Sequence, residues 1–296
     1  MQVGAGALSE IGNVMASLGC RMPLIVTDKM MVQLGYVNRL QEYLPHSDVY
    51  HDTLPEPSEA SILDGVEMVR NGNFDSIIAL GGGSSIDSAK AIAILGKYGG
   101  SMRDYMVPRI VDEPGLPIIA IPTTAGTGSE ATRVTIITDD TVDEKMLCMG
   151  MGFMPVAALV DFELTLSLPP RTTADTGIDA LTHAMEAYVS QKANLYSDSQ
   201  AIQAMTLIAP NLRRAYHDGG DQEARQAMML GATLAGVAFS NASVALVHGM
   251  SRPIGAFFHV PHGLSNAMLL PEVTLFSIAG AASRYAQCAR TMQVAS

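Results

Sequence analysis

Between Pro23 and Ile121 the chain alternates short β-branched runs with stretches of helical period, and this alternation restricts the fold more than any other feature. Pro23–Thr27, Ser76–Leu80 and Pro117–Ile121 read as strands; Glu59–Asn71 and Ser85–Leu95 read as helices. Strands separated by helix-length segments predict a parallel sheet with crossover helices. From about Pro169 the β signal fades. Ala-, Met- and Leu-rich segments at helical spacing take over, at Asp179–Ser190, Ser197–Tyr216 and Gln222–Ala238. The expected architecture is an α/β domain with a parallel sheet over residues 1–168, followed by an all-helical domain over 169–296. The paired prolines Pro169 and Pro170 are taken as its boundary.

At 296 residues the chain can bury a large core, and its 48% hydrophobic and 16% charged residues exclude a disordered chain. A formal net charge of -11 without any basic cluster argues against nucleic acid or an anionic membrane surface as partner. The low-charge run Ala227–Met250 is broken by Thr233, Ser240, Asn241, Ser243 and His248, which fits a buried core helix pair better than a membrane span. Cys20, Cys148 and Cys288 are far apart and form no Cys-x-x-Cys arrangement, so neither a disulfide framework nor a thiolate metal site is indicated. The start Met-Gln-Val-Gly-Ala-Gly does not resemble a signal peptide, and a cytoplasmic location is expected.

Two loops have the layout of anion sites. The strand Ser76–Leu80 runs into Gly81-Gly82-Gly83-Ser84-Ser85 and then a helix whose expected first turn carries Asp87. Strand, glycine loop and helix N-terminus together cradle a phosphate, and glycines let the backbone approach closely. The loop matches neither the Walker A pattern nor G-x-G-x-x-G, and a plain strand-to-helix turn is the alternative. The second strand empties into Pro122-Thr-Thr-Ala-Gly-Thr-Gly-Ser-Glu130, either a ligand loop at a strand's carboxyl end or a connector rich in hydroxyls. Asp28, after Leu24-Ile-Val-Thr, either accepts a bond from an adenosine ribose, favouring NAD over NADP, or caps the next helix.

In the second half, Asp179 and His183 sit four residues apart in a helical pattern, which puts carboxylate and imidazole on one face. His248 and His262 follow in sequence punctuated by Gly and Pro. One Asp and three His would form an N/O donor set for Fe²⁺ or Zn²⁺ without distinguishing them. His46, His51 and His217 lie in polar surroundings and are expected to be solvated.

The segments Gly81–Lys90, Pro122–Thr132, Gly177–Glu186 and Val247–Gly263 together resemble the iron-containing, metal-dependent (group III) alcohol dehydrogenase family. The resemblance implies an N-terminal nucleotide-binding domain, a helical metal-binding domain, and an active site in the cleft between them. It also implies that Asp179, His183, His248 and His262 are the metal ligands, and that Gly82, Gly83 and Ser84 hold the pyrophosphate of NAD with Asp28 at the adenosine ribose. Thr123, Thr124 and Thr132 would line the nicotinamide half, Asp87 would shape the pyrophosphate loop and Lys145 would reach the cofactor ribose. Glu56 and Pro57 fall loosely where the family lines its adenine pocket.

The implied reaction is hydride transfer between nicotinamide and a small alcohol, diol or hydroxy acid whose oxygen the metal polarises. Many relatives have His where this chain has Arg252, and a guanidinium cannot cycle a proton. His259, or water with the ribose hydroxyls, is expected to carry the proton instead. Arg252 is expected either to bind an anionic or strongly polar substrate group or to form a structural ion pair. Relatives commonly extend beyond Gly4–Ala7 and Tyr285–Val294, so a C-terminally shortened helical domain is expected, its exposed apolar surface favouring association or instability; a homo-oligomer is the expected assembly. The competing readings are a glycerol dehydrogenase-like enzyme, a dehydroquinate synthase-like enzyme without net redox chemistry, and a catalytically impaired nucleotide-binding or regulatory relative.

Overall fold

The computed structural model describes residues 1–258 and 260–295, Ala256 by its backbone only. The chain forms two compact units, one of residues 1–123 with 132–161 and one of residues 124–131 with 162–296.

The first unit is built on a six-stranded sheet in the order β1-β8-β5-β4-β2-β3. Its strands are β1 (Gln2–Val3), β2 (Pro23–Val26), β3 (Asp48–Tyr50), β4 (Ser76–Gly81), β5 (Ile118–Pro122) and β8 (Ala157–Val160), and all pairings are parallel. β2, β4 and β5 are buried along their whole length, as a sheet covered on both faces demands of continuous Ile, Leu and Val runs. The crossovers carry α1 (Ile11–Leu18), α2 (Lys29–Gln33), α3 (Tyr36–Tyr43), α4 (Leu63–Asn71) and α5 (Gly83–Tyr98). α5 is apolar nearly all round and is correspondingly buried from Ser85 to Leu95 except at Asp87. An antiparallel hairpin of β6 (Val134–Asp139) and β7 (Glu144–Met149) stands apart from the sheet.

The strand order reverses at β2 and β4. The chain leaves β2 toward β3 on one side and leaves β4 toward β5 on the other, so the two loops diverge above neighbouring strand ends. Such a switch point opens a crevice at the carboxyl ends of the strands. Asp28 and the glycine loop follow β2 and β4 directly, and the two strands are in register from Pro23↔Ser76 to Val26↔Ala79.

The second unit is helical: α6 (Pro170–Val189), α7 (Leu195–His217), α8 (Gln222–Asn241), α9 (Leu246–Phe258), α10 (His262–Ser277) and α11 (Ala282–Thr291). α7 and α8 pack along each other and on α6, and α10 packs on α6 and α9. α7 starts on Asn194, whose side chain accepts bonds from the backbone N–H groups of Tyr196 and Ser197. The run Ala227–Met250 spans α8 and the start of α9, which meet at 102°. No single helix among the described residues is long and apolar enough to cross a membrane.

Three placements differ from the sequence reading. The paired prolines do not separate the units; Pro169 is the N-cap and Pro170 the first residue of α6, where a missing N–H costs nothing. The division falls at Asp161/Phe162, because the turn Phe162–Thr165 packs on α8 and buried Arg225 donates to the Leu168 carbonyl (3.3 Å) and Thr173 Oγ1 (2.8 Å). The loop segment Thr124–Ala131 also belongs to the helical unit, where buried Thr233 donates to Glu130 Oε1 at 2.6 Å. Asp87 falls in the second turn of α5, not the first, because the helix begins at Gly83.

Candidate active site

In the helical unit, Asp179 and His183 project from one face of α6, His248 comes from the first turn of α9, and His262 is the first residue of α10. One donor atom from each lies within 4.8 Å of the others. Asp179, His183 and His248 are 3%, 5% and 3% exposed, whereas the His262 side chain keeps 32% and opens the cluster on one side. Asp179 Oδ1 lies 3.5 Å from His248 Nε2 and 3.6 Å from His262 Nε2, and Asp179 Oδ2 lies 3.9 Å from His183 Nδ1. The His183 ring is stacked between Phe239 and His248, each at 4.3 Å between centroids.

These four groups and the adjoining Asn266 do not satisfy one another. The buried Nδ1 of His183 and Oδ1 of Asn266 have no hydrogen-bond partner, and buried polar atoms left unpaired are costly. Four O and N donors without sulfur, converging in a buried pocket with one side open, fit a divalent ion of the Fe²⁺ or Zn²⁺ type. The protonation states of Asp179 and His183 agree with that use. Burial raises the Asp179 carboxyl, but the surrounding imidazoles outweigh it and hold the group far below the usual carboxylate range. Burial pushes the His183 imidazole down to about 3 against the pull of Asp179, so its ring is neutral at physiological pH and keeps a lone pair to donate. Burial lowers His248, yet its bonds to Asp179 and Glu186 prevail and raise it.

Two residues that the sequence reading did not single out complete the site. Glu186 lies on α6 three residues beyond His183, and its Oε2 accepts from His248 Nδ1 at 2.7 Å and from the Ala245 N–H at 2.9 Å. Its Oε1 accepts from the Val247 N–H. A carboxylate on Nδ1 fixes the proton there and leaves the Nε2 lone pair facing Asp179. Asn266, four residues after His262, donates from Nδ2 to Asp179 Oδ1 at 2.7 Å and lies 3.2 Å from Nε2 of both His248 and His262. Both could have been found by extending the helical spacing of the candidate ligands by one more turn.

Gly263 allows this geometry. A Cβ there would sit 2.2 Å from the Asp175 carbonyl oxygen, so only glycine lets the start of α10, and His262 with it, lie directly on the α6 backbone. His46, His51 and His217 are exposed. Arg252, one turn beyond His248, is half-buried and makes no hydrogen bond or ion pair with any described residue. Burial lowers its pKa, with Glu186 opposing. His259 lies outside the described residues.

In the first unit, Gly82 is the N-cap of α5, and Gly82, Gly83 and Ser84 are half-buried at its open end. Gly81 takes φ +148°, and a Cβ there would fall 2.6 Å from Ser85 Oγ. Asp28 does cap α2: its Oδ1 accepts from the Met30 and Met31 N–H groups at 2.8 and 3.1 Å. Its Oδ2 remains at the glycine loop, accepting from Ser85 Oγ at 3.4 Å, so capping leaves one oxygen beside the crevice.

Thr123 is buried with its hydroxyl unpartnered. Thr132 is instead bound to buried Lys90, whose Nζ lies 3.0 Å from both its Oγ1 and its carbonyl. Asp87 ties α5 to the hairpin, accepting from the Ile136 N–H at 2.9 Å. Lys145 is paired with Glu56 at 2.7 Å, next to buried Pro57. Thr124 is half-buried and belongs to the helical unit.

The iron-containing alcohol dehydrogenase family matches residues 1–162, and its C-terminal family matches residues 173–296. The chain belongs to the iron-containing alcohol dehydrogenase family. It is 44% identical to long-chain-alcohol dehydrogenase 1 of Geobacillus thermodenitrificans over 92% of its own length and 70% of the relative's. A crystal structure of a 1,3-propanediol oxidoreductase superposes with a TM-score of 0.93 at 36% identity, covering 98% of this chain and 78% of the other. The NAD⁺ complex of sulfoacetaldehyde reductase from Bifidobacterium kashiwanohense matches with a TM-score of 0.89 at 33% identity, over 93% and 74% of the two chains. As a member, the chain is an alcohol dehydrogenase, and its α/β unit followed by a helical unit is the architecture of the family.

Proposed function

We propose that the chain is an NAD- and Fe²⁺-dependent alcohol dehydrogenase and aldehyde reductase, with Asp179, His183, His248 and His262 as the metal ligands. The convergence of these four donor groups within 4.8 Å carries the reading. Zn²⁺ suits the same donors. When bound, the ion supplies Lewis acidity toward an alcohol or carbonyl oxygen, and NAD exchanges the hydride.

The chain's own residues prepare that chemistry. Asp179 supplies the negative charge of the ligand set, and Glu186 keeps a proton on His248 Nδ1 so that Nε2 stays a donor. The backbone of Gly82, Gly83 and Ser84 at the start of α5 is suited to the pyrophosphate, with Asp28 Oδ2 available to a ribose hydroxyl. An acidic group there repels a 2′-phosphate, which favours NAD over NADP. The unpartnered Thr123 hydroxyl is free to meet the nicotinamide half; Thr124 and Thr132 are assigned to the same half, Asp87 to the loop's support and Lys145, beside Glu56, to the cofactor ribose. Arg252 stays charged and does not carry the proton, so His259 is assigned that step.

The relatives named above act on a long-chain alcohol, a 1,3-diol and sulfoacetaldehyde, so family alone leaves the substrate at the level of a small alcohol, diol or hydroxy acid and its carbonyl partner. The net charge of -11 supports a small-molecule enzyme with no nucleic-acid or membrane partner. Three unpaired cysteines suit the reducing cytoplasm. Phe257, Phe258, Met268, Leu275 and Phe276 are 68 to 78% exposed, which supports a homo-oligomer. The test is NADH-coupled turnover of a panel of alcohols and aldehydes by protein loaded with Fe²⁺ or Zn²⁺. Metal-dependent turnover is expected; NADH binding without turnover of any substrate would contradict the reading.

A further inference from the structure

Arg252 follows His248 by one turn of α9, so the two side chains share a helix face. Its guanidinium is partly withdrawn from water and has no partner among the described residues. The acid whose field reaches it, Glu186, is already engaged at both oxygens, by His248 Nδ1 and by the N–H groups of Ala245, Val247 and His248. Asp179, the other buried acid of the site, is bonded to Asn266 and surrounded by imidazoles. A charge held out of water is normally matched by a counter-charge, because leaving it alone is expensive. Among the described residues there is none, and the structural ion pair, the alternative role for this arginine, is absent there too. The unmatched cation stands one turn from a residue that would bind the metal polarising the substrate oxygen.

We infer that Arg252 selects substrates with an anionic terminus, short hydroxy acids and the corresponding aldehyde acids, over neutral alcohols of the same length. The inference rests on the dehydrogenase reading above. A guanidinium presents two parallel N–H groups that match both oxygens of a carboxylate, so recognition is directional as well as electrostatic. One turn of helix offsets the two positions by about 6 Å along the axis. The anion and the reacting carbon are therefore separated by a short carbon spacer, as in an ω-hydroxy acid.

The experiment compares kcat/KM for 4-hydroxybutyrate and 1-butanol in the wild type, Arg252→Met and Arg252→Lys, alongside calorimetric titration of each protein with butyrate, an unreactive carboxylate. The wild type is expected to favour the acid at least tenfold. In Arg252→Met that ratio falls tenfold or more, mainly through KM, and butyrate binding is lost; Arg252→Lys keeps part of both. An unchanged ratio in Arg252→Met, or a wild type that favours butanol, overturns the inference while leaving the dehydrogenase reading intact. Absence of turnover on both compounds alongside turnover of another alcohol or aldehyde overturns the inference, whereas absence across the whole panel contradicts the dehydrogenase reading. The butyrate titration then decides the role of Arg252 by itself, equal binding to wild type and Arg252→Met counting against it.

Discussion

At the scale of single residues, the proposed metal site depends on groups outside the four candidate ligands. Glu186 accepts four donors, one of them His248 Nδ1, and so decides which nitrogen of His248 keeps its lone pair. Replacing it by Gln keeps the volume and weakens that control, because an amide oxygen is a poorer acceptor and an amide N–H2 would face donors. Removing such an outer partner typically costs about 10- to 100-fold in metal affinity. Glu186→Gln is accordingly expected to weaken Fe²⁺ binding within that range in a competition titration against a chelator, with Asp179 and the three histidines unaltered. Affinity equal to wild type would remove Glu186 from the account. The sequence made the four converging donors visible through spacing and shared chemistry, whereas Glu186 and Asn266 were passed over. Both stand one further turn along the same helices, but Glu and Asn on a helix are ordinarily surface residues, and only burial reveals their role.

At the scale of elements, the arrangement depends on how closely two helices approach. His262 opens α10, and the next residue, Gly263, rests against the backbone of α6 at Asp175. A methyl group at 2.2 Å from a carbonyl oxygen cannot be accommodated by side-chain rotation, so α10 would have to move away from α6. Gly263→Ala is expected to shift His262 outward. Metal retained after dialysis should fall markedly, while unfolding of the metal-free protein moves by about 1–3 kcal/mol, the usual cost of overpacking. Full metal retention would show that α10 does not set the ligand geometry. The sequence predicted the long helices and the central strands well, since their periodicity is strong. The short strands β1, β3 and β8 and the β6–β7 hairpin were missed, because two- to six-residue pieces with mixed burial carry little periodic signal. The paired prolines misled for a physical reason: proline ends a helix from inside but starts one at its first position.

At the scale of the molecule, each unit presents one half of a dehydrogenase. The sheet unit brings Asp28 and the glycine loop to a switch point between neighbouring strands, and the helical unit gathers four candidate metal donors from three helices. Both halves were legible as motifs, yet the exact division was not. The loop after β5 looks continuous with the sheet in sequence, but its later residues are bonded to α8 through Glu130 and Thr233. In the proposed reading, Asp179 and the three histidines form the metal centre independently of the nucleotide loops. Metal content of purified wild type, Asp179→Ala and Asp179→Asn, measured by elemental analysis beside an NADH fluorescence titration, tests it most directly. Wild type should retain a divalent ion, both variants should lose it, and all three should bind NADH alike; metal content in both variants equal to that of the wild type would contradict the account.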